Sequence, residues 1–404
     1  MFPVKLASRL DPIKPSITLA VTAKAAKLKA SGVDVISFGA GEPDFDTPEH
    51  IKETVRAALA EPRGAVGKYT EVGGTATLRK AIAAELSAVH KVELDPDQVL
   101  VSCGAKHSLY NLFMALLDPG DEVLIPAPYW VSYPDMVMLA GGRPVVLETR
   151  AEDDFAVTAH QVREACTGRT RAIVLNNPSN PTGAVYTRAQ VEALAEVCVE
   201  KNLLIISDDI YRQLVYGDAH YHSIAAISPE AARRTVLVDG VSKTYAMTGY
   251  RIGYFAGPKE LVAAAQVIQG QTTSGPATLS LHAALAALTD PSVPAEVAAM
   301  KDAFTRRRAL VLEGLKTVPG VEVLPPDGAF YVFIDASRHT GPKARHADDI
   351  ELAQWLLEEK LVAIVPGSPF GAPGYLRMSY ATDDASLTEG IEQLADAFRS
   401  LPTS

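Results

Sequence analysis

The feature that most constrains this chain is a series of short, nearly unbroken apolar stretches separated by longer amphipathic ones. "QVLVSC" (98–103), "DEVLIP" (121–126), "RPVVLE" (143–148), "RAIVLN" (171–176), "LLIISD" (203–208), "RTVLVD" (234–239) and "RIGYFAG" (251–257) each read as a buried strand. Helical patterns lie between several of them. In "RAQVEALAEVCVEKN", Val191, Leu194, Ala195 and Cys198 mark one face at helical spacing. Apolar strands alternating with helices require an α/β fold, a mostly parallel sheet covered on both faces.

The last third reads differently. A long helix is expected over 292–317, then strands in "VEVLPP", "AFYVFID", "VAIVPG" and "YLRMSY", with helices near 348–359 and 385–400. This pattern predicts a smaller α+β domain. The segment up to residue 47 has one helix and is too short to fold alone, so it joins the smaller domain or reaches another subunit. The expected division is 1–47, 48–290 for the large domain and 291–404 for the small one.

Composition narrows the function. At 404 residues, 48% hydrophobic and 21% charged, the chain can bury a large core without disulfides. Its net charge of −10 opposes nonspecific binding to nucleic acid or anionic membranes, yet leaves room for a locally positive pocket. The cysteines, Cys103, Cys166 and Cys198, form no C-x-x-C pair, which fits a reduced, cytoplasmic compartment. "MFPVKLASRLDPIKPS" lacks the apolar core of a signal peptide, and no apolar run is long enough to span a bilayer. "HYH" at 220–222 lies in a polar loop without companion ligands and gives metal catalysis little support.

In open α/β sheets, ligands sit at the carboxyl ends of the parallel strands, so the polar residues just after the strand runs matter most. "VSCGAKHSLYNLF" reads as strand, glycine turn and helix start near Ala105. That is either a plain junction or an anion site built on free N–H groups. Asp208, at the mouth of a buried strand, is a helix cap, part of an ion pair or a functional acid. "NNPSNPTG" (176–183) is a turn-rich loop that fixes Asn180. Lys243 follows a strand end with Arg251 eight residues on. Burial and the second cation would both depress its pKa and favour a nucleophilic amine, against the common reading of a surface lysine. Arg377, within a strand-like run, suits a bidentate grip on a carboxylate.

Seven stretches in order, "AGEPDFDTP", "KYTEVGGTATLRKAI", "APYWVSYPDM", "NNPSNPTGAVY", "SDDIY", "SKTYAMTGYRIGY" and "LRMSYAT", resemble the class I aminotransferases. These are pyridoxal-phosphate enzymes, and the likeness is greatest to the thermophile-type bacterial aspartate aminotransferase branch. The resemblance implies fold type I, a large domain with a seven-stranded sheet, pyridoxal 5'-phosphate as cofactor, and a homodimer. It implies amino transfer between aspartate or glutamate and 2-oxo acids. It makes Lys243 the residue that tethers the cofactor and moves the substrate proton. Asp208 would hold the ring nitrogen protonated, Tyr211 and Asn180 would hydrogen-bond the phenolic oxygen, and Trp130 would stack on the ring. The phosphate would sit at Gly104, Ala105 and Lys106 with Arg251 as counter-charge and Tyr69 arriving from a second subunit. Arg377 and Gly41 would hold the substrate α-carboxylate, beside Trp130 and Asn180.

Lys106 opposes the helix dipole by about 0.3–1 kcal/mol. It either points to solvent or, as the resemblance implies, contacts the side-chain carboxylate of a dicarboxylic substrate, with Ser16 nearby and Lys14 leaving room for prephenate. Gly240 departs from the family pattern, in which many members carry a phosphate-binding serine. Other readings are a prephenate or aromatic aminotransferase, a β-lyase or ring-forming synthase on the same cofactor, and a ligand-sensing regulator. The last would carry a DNA-binding domain ahead of "AGEPDF".

Overall fold

The computed structural model describes residues 4–15, 17–61 and 65–401. Its large sheet contains β1 (Val99–Ser102), β2 (Glu122–Ala127), β3 (Arg143–Glu148), β4 (Thr170–Asn176), β5 (Leu204–Asp208), β6 (Thr235–Gly240) and β7 (Gly253–Ala256). These are the seven apolar runs, with ends that differ from the expected ones by at most two residues. Their spatial order is β1-β7-β6-β5-β4-β2-β3, and only β7 runs against its neighbours. The reason is local. Every parallel neighbour needs a crossover, usually a helix, whereas residues 241–252 form only turns and a short 3₁₀ segment before the chain returns beside β6. Strands β1, β6 and β7 are buried along their whole length. The edge strand β3 exposes residues at both its ends and carries Pro144, whose missing N–H is tolerated at an edge.

Helices cover both faces. One layer packs Leu78, Ile82 and Leu86 with Val99, Val101 and Tyr254. The other packs Leu109, Leu112 and Phe113 with Val123, Val236 and Phe255. Helix Arg188–Glu200 buries Val191, Leu194, Ala195 and Cys198, and Thr187 caps it in a reciprocal box with Gln190.

Helix Val293–Leu315 leads into a four-stranded antiparallel sheet: β8 (Glu322–Val323), β9 (Tyr331–Asp335), β10 (Val365–Pro366) and β11 (Tyr375–Ser379), in the order β10-β11-β9-β8. The run "VAIVPG" reads as one strand in the sequence but is divided at Ile364. Val362 and Ala363 pair in parallel with Ile36 and Ser37, while Val365 and Pro366 pair with β11. The N-terminal segment thus forms a separate two-stranded sheet, and it reaches the smaller sheet where the Ser379 N–H donates to the Phe38 carbonyl at 2.9 Å.

Strand β7 passes directly beneath the start of helix Ala105–Leu116. A Cβ added to Gly253 would lie 2.0 Å from the Ala105 nitrogen. A Cβ added to Gly240, opposite it, would lie 2.9 Å from both Gly253 Cα and the Ile252 oxygen. Glycine is required at this crossing by contact with backbone. Gly253→Ala should lower stability by about 1–3 kcal/mol through overpacking. A thermal melt of the purified variant checks this, and an unchanged midpoint would refute it.

Candidate active site

Strand register brings the polar residues together. Asn176 closes β4 directly opposite Asp208 at the end of β5. Its Nδ2 donates to the Asp208 carbonyl at 2.9 Å, and its Oδ1 accepts from the Asn180 backbone N–H at 2.8 Å. Asn176 thus folds the 177–183 loop back so that Asn180 faces the strand ends. Lys243 enters three residues beyond β6. Arg377 arrives from the smaller sheet, at the centre of β11. The resulting cavity, of about 390 Å³, is lined by Gly41, Ala105, Lys106, Trp130, Asn180, Asp208, Tyr211, Lys243, Arg251 and Arg377, among others.

Arg377 is fully buried. It donates to Asn180 Oδ1 and to the Gly39 carbonyl, both at 3.1 Å, and its Nε has no hydrogen-bond partner among the described residues. Its guanidinium lies between the rings of Tyr331, at 4.5 Å, and Phe370, at 5.1 Å. Lys243 donates to the Gly41 carbonyl. Burial lowers its pKa to about 8; Glu42 opposes the shift, while Arg377 and Arg251 add to it. Asp208 accepts from the Tyr133 hydroxyl and, at 3.4 Å, from the Ile210 N–H. Burial nevertheless raises its pKa to about 6.

The helix beginning at Ala105 has Gly104 as its N-cap, at φ 89°, with no side-chain cap on its free N–H groups. Arg251 supplies positive charge at the same place. Its Nη2 lies 2.6 Å from where a Gly104 Cβ would be, and Nη1 donates to the Thr248 carbonyl at 2.9 Å. Lys106 is exposed in the first turn, its ammonium 4.8 Å above the Trp130 ring. Trp130 in turn meets Tyr133 edge-on at 5.3 Å. Gly240 leaves no space for a serine side chain, so Ser242, in the cavity wall, is the hydroxyl next to Lys243.

One expected residue lies elsewhere. Tyr69 is 97% exposed and does not line the cavity of its own chain. Ser16 falls outside the described residues. Three contributors were missed in the sequence. Tyr133 sits inside the quoted "APYWVSYPDM" and could have been found as a second aromatic beside Trp130. Asn176 is the first residue of "NNPSNPTG" and is hidden by its more prominent neighbours. Tyr331 lies in "AFYVFID" and looks like one more core aromatic.

The chemistry of these groups is complementary to a particular kind of ligand. An uncapped helix start beside an arginine suits a phosphate. A buried carboxylate whose partners are neutral suits a cationic ring nitrogen. A half-buried, weakened ammonium suits a carbonyl carbon, and a half-satisfied buried guanidinium suits a carboxylate.

The fold and this constellation define a class, and similarity to known proteins names it. Residues 33–394 match the family model for aminotransferase class I and II. The chain belongs to that family and is an aminotransferase. It is 46% identical to the probable aspartate/prephenate aminotransferase of Aquifex aeolicus, over 98% of this chain and 99% of the relative. It is 45% identical to the aspartate aminotransferase of Geobacillus stearothermophilus, over 97% and 98%. Among solved structures, it superposes on the aspartate aminotransferase of Thermus thermophilus with maleate at a TM-score of 0.91. The identity there is 43%, over 98% of this chain and all of the other. The fold-type I architecture expected from the sequence is the one found.

The raised pKa of Asp208 has a stability consequence. The native carboxyl binds its proton more tightly than the unfolded one, so this residue costs stability as pH rises from about 4 to about 6. Without cofactor, Asp208→Asn should therefore be more stable than wild type above pH 6, by at most about 3 kcal/mol, with the gain fading toward pH 4. Denaturation of both proteins across this pH range checks the sign; a variant less stable at pH 7 and equally so at pH 4 would refute it.

Proposed function

We propose that this chain is a pyridoxal-phosphate-dependent aspartate aminotransferase, exchanging the amino group of L-aspartate with 2-oxoglutarate. The observation that carries the reading is the placement of the half-buried Lys243 amine in a cavity with buried Arg377 in one wall and Lys106 at the mouth. Two cations flanking an amine suit a substrate with two carboxylates.

Pyridoxal 5'-phosphate supplies an electron sink that stabilises negative charge developing at the substrate α-carbon. The protein groups have separate tasks. Arg251, Ser242 and the N–H groups at Gly104 and Ala105 hold the phosphate. Asp208, kept ionised by the Tyr133 hydroxyl, keeps the ring nitrogen protonated, and Trp130 covers the ring. Tyr211 and Asn180 donate to its phenolic oxygen. Arg377 binds the substrate α-carboxylate, with the Gly41 backbone beside it. Lys243 takes and returns the proton at the substrate α-carbon, and a pKa of about 8 makes its neutral form accessible near neutral pH.

The exposure of Tyr69 supports its serving the phosphate of a second copy, and hence a homodimer. The reading keeps the division into 1–47 with 291–404 as the smaller domain and 48–290 as the larger, in a cytoplasmic enzyme. Prephenate is a second acceptor to test. It also carries two carboxylates, and it is named for the Aquifex aeolicus relative.

Hydride trapping of the wild-type holoenzyme, followed by peptide mapping, should place the label on Lys243, and Lys243→Ala should fold without turning over. Label on another lysine would overturn the assignment. A panel of amino donors with 2-oxoglutarate tests the substrate. Lys106→Ser should lower kcat/KM for aspartate and glutamate by roughly ten- to a hundredfold, the worth of a charge-assisted contact. Neutral donors such as alanine and phenylalanine should change little. Equal losses for acidic and neutral donors would show that Lys106 serves the cofactor or the fold.

A further inference from the structure

Tyr331 lies in β9, fully buried, and pairs across the sheet with Ser379 of β11. Its ring forms one side of the slot that holds Arg377. Its hydroxyl does something else. It lies 2.9 Å from the hydroxyl of Tyr211 and borders Gly41, where an added Cβ would sit 3.4 Å from it. The Tyr331 oxygen is thus placed between the residue proposed to hold the cofactor's phenolic oxygen and the place proposed for the substrate α-carboxylate.

Either hydroxyl can donate across this contact, and the task proposed for Tyr211 sets its direction. Each phenol has a single O–H, and only one can lie between the two oxygens. If Tyr211 directs its own proton into the cavity, the proton on the line between the oxygens belongs to Tyr331. A phenol that accepts a hydrogen bond becomes a better donor, because linked hydrogen bonds polarise one another. Burial raises the pKa of both phenols, so both protons are retained.

We propose that the Tyr331 hydroxyl is a positioning group: it donates to Tyr211 in the resting site and turns to the substrate α-carboxylate when that group docks on Arg377. This inference rests on the function proposed above. A carboxylate is a stronger acceptor than a phenol oxygen, which gives the turn its driving force. Once the hydroxyl has turned, Tyr211 would hold the phenolic oxygen less strongly, and the nitrogen through which Lys243 would hold the cofactor would be the more basic. Carboxylate binding would thereby be coupled to protonation of that nitrogen. The other charged and titratable groups facing this pair are Arg377 from β11, Glu42 from the N-terminal segment, Asp208 at the end of β5 and Lys243 beyond β6. None of them can exchange one acceptor for the other as a hydroxyl rotor can.

The test is a pH titration of the bound cofactor's visible absorbance in the holoenzyme, without ligand and with saturating succinate, an unreactive dicarboxylate. In wild type the midpoint should rise when succinate binds. Tyr331→Phe keeps the ring beneath Arg377 and removes only the hydroxyl. Its ligand-free midpoint should be higher than wild type by about half to one pH unit, the worth of one hydrogen bond. Its further rise with succinate should be smaller than in wild type. Tyr331→Leu, which also removes the ring, should in addition weaken succinate binding several-fold. A purely structural role for Tyr331 would alter stability and leave the midpoint where it is. A Tyr331→Phe midpoint equal to wild type overturns the inference, and so does a wild-type midpoint unmoved by succinate, a measurement that needs no variant. Hydride trapping separates the two levels. If the cofactor is not on Lys243, the proposed function fails; if it is, and the midpoint does not move, only the role of Tyr331 fails.

Discussion

Everything at this site depends on keeping three ionisable groups, Asp208, Lys243 and Arg377, out of water without neutralising them against each other. Direct ion pairs would hold them more tightly and leave them unavailable. Their partners are neutral instead: a tyrosine hydroxyl for Asp208, the Gly41 carbonyl for Lys243, and an amide and a carbonyl for Arg377. The displaced pKa values of Asp208 and Lys243 are the cost of that arrangement. Parallel strand ends make it possible. They deliver side chains from Asn176, Asp208 and Lys243 to one edge, while the hydrogen bonding of each strand is completed by its neighbours. The glycines at 240 and 253 then let the backbone of β7 approach the start of helix Ala105–Leu116, which brings Arg251 beside its free N–H groups.

The large sheet was legible because buried parallel strands are written as continuous apolar runs, and all seven were found. The direction of β7 was not, since an apolar run has no polarity; it follows from the absence of a crossover helix after Lys243. The division of "VAIVPG" at Ile364 was invisible for a related reason: which of two sheets a residue pairs with depends on distant segments. Site residues were legible where chemistry stood out against an apolar background, as for Asp208, Lys243 and Arg377. They were hidden where a polar atom rides on a residue that belongs in a core. Tyr133 and Tyr331 are both buried aromatics, and only the position of a hydroxyl, which no spacing reveals, separates them from their neighbours. The exposure of Tyr69 is the converse case, a large aromatic that one chain leaves in solvent.

The segment from Ile36 to Asp44 is stitched at one end to strands around the smaller sheet and at the other to helix Val293–Leu315. Ile36 pairs with Val362, the Ser379 N–H donates to the Phe38 carbonyl at 2.9 Å, and Asp44 is gripped by both terminal nitrogens of Arg307, at 2.7 and 2.9 Å. Between those stitches lie Gly39, whose carbonyl accepts from Arg377, and Gly41, whose carbonyl accepts from Lys243. Arg377 and both carbonyls therefore form a single jaw, anchored on one side of the cavity, while Lys243 is mounted on the other. Any rocking of the jaw would carry its grip on a carboxylate along unchanged and would strain one bond in particular, the link from the Lys243 amine to Gly41. The lysine is thus tied across the cavity to the jaw that faces it.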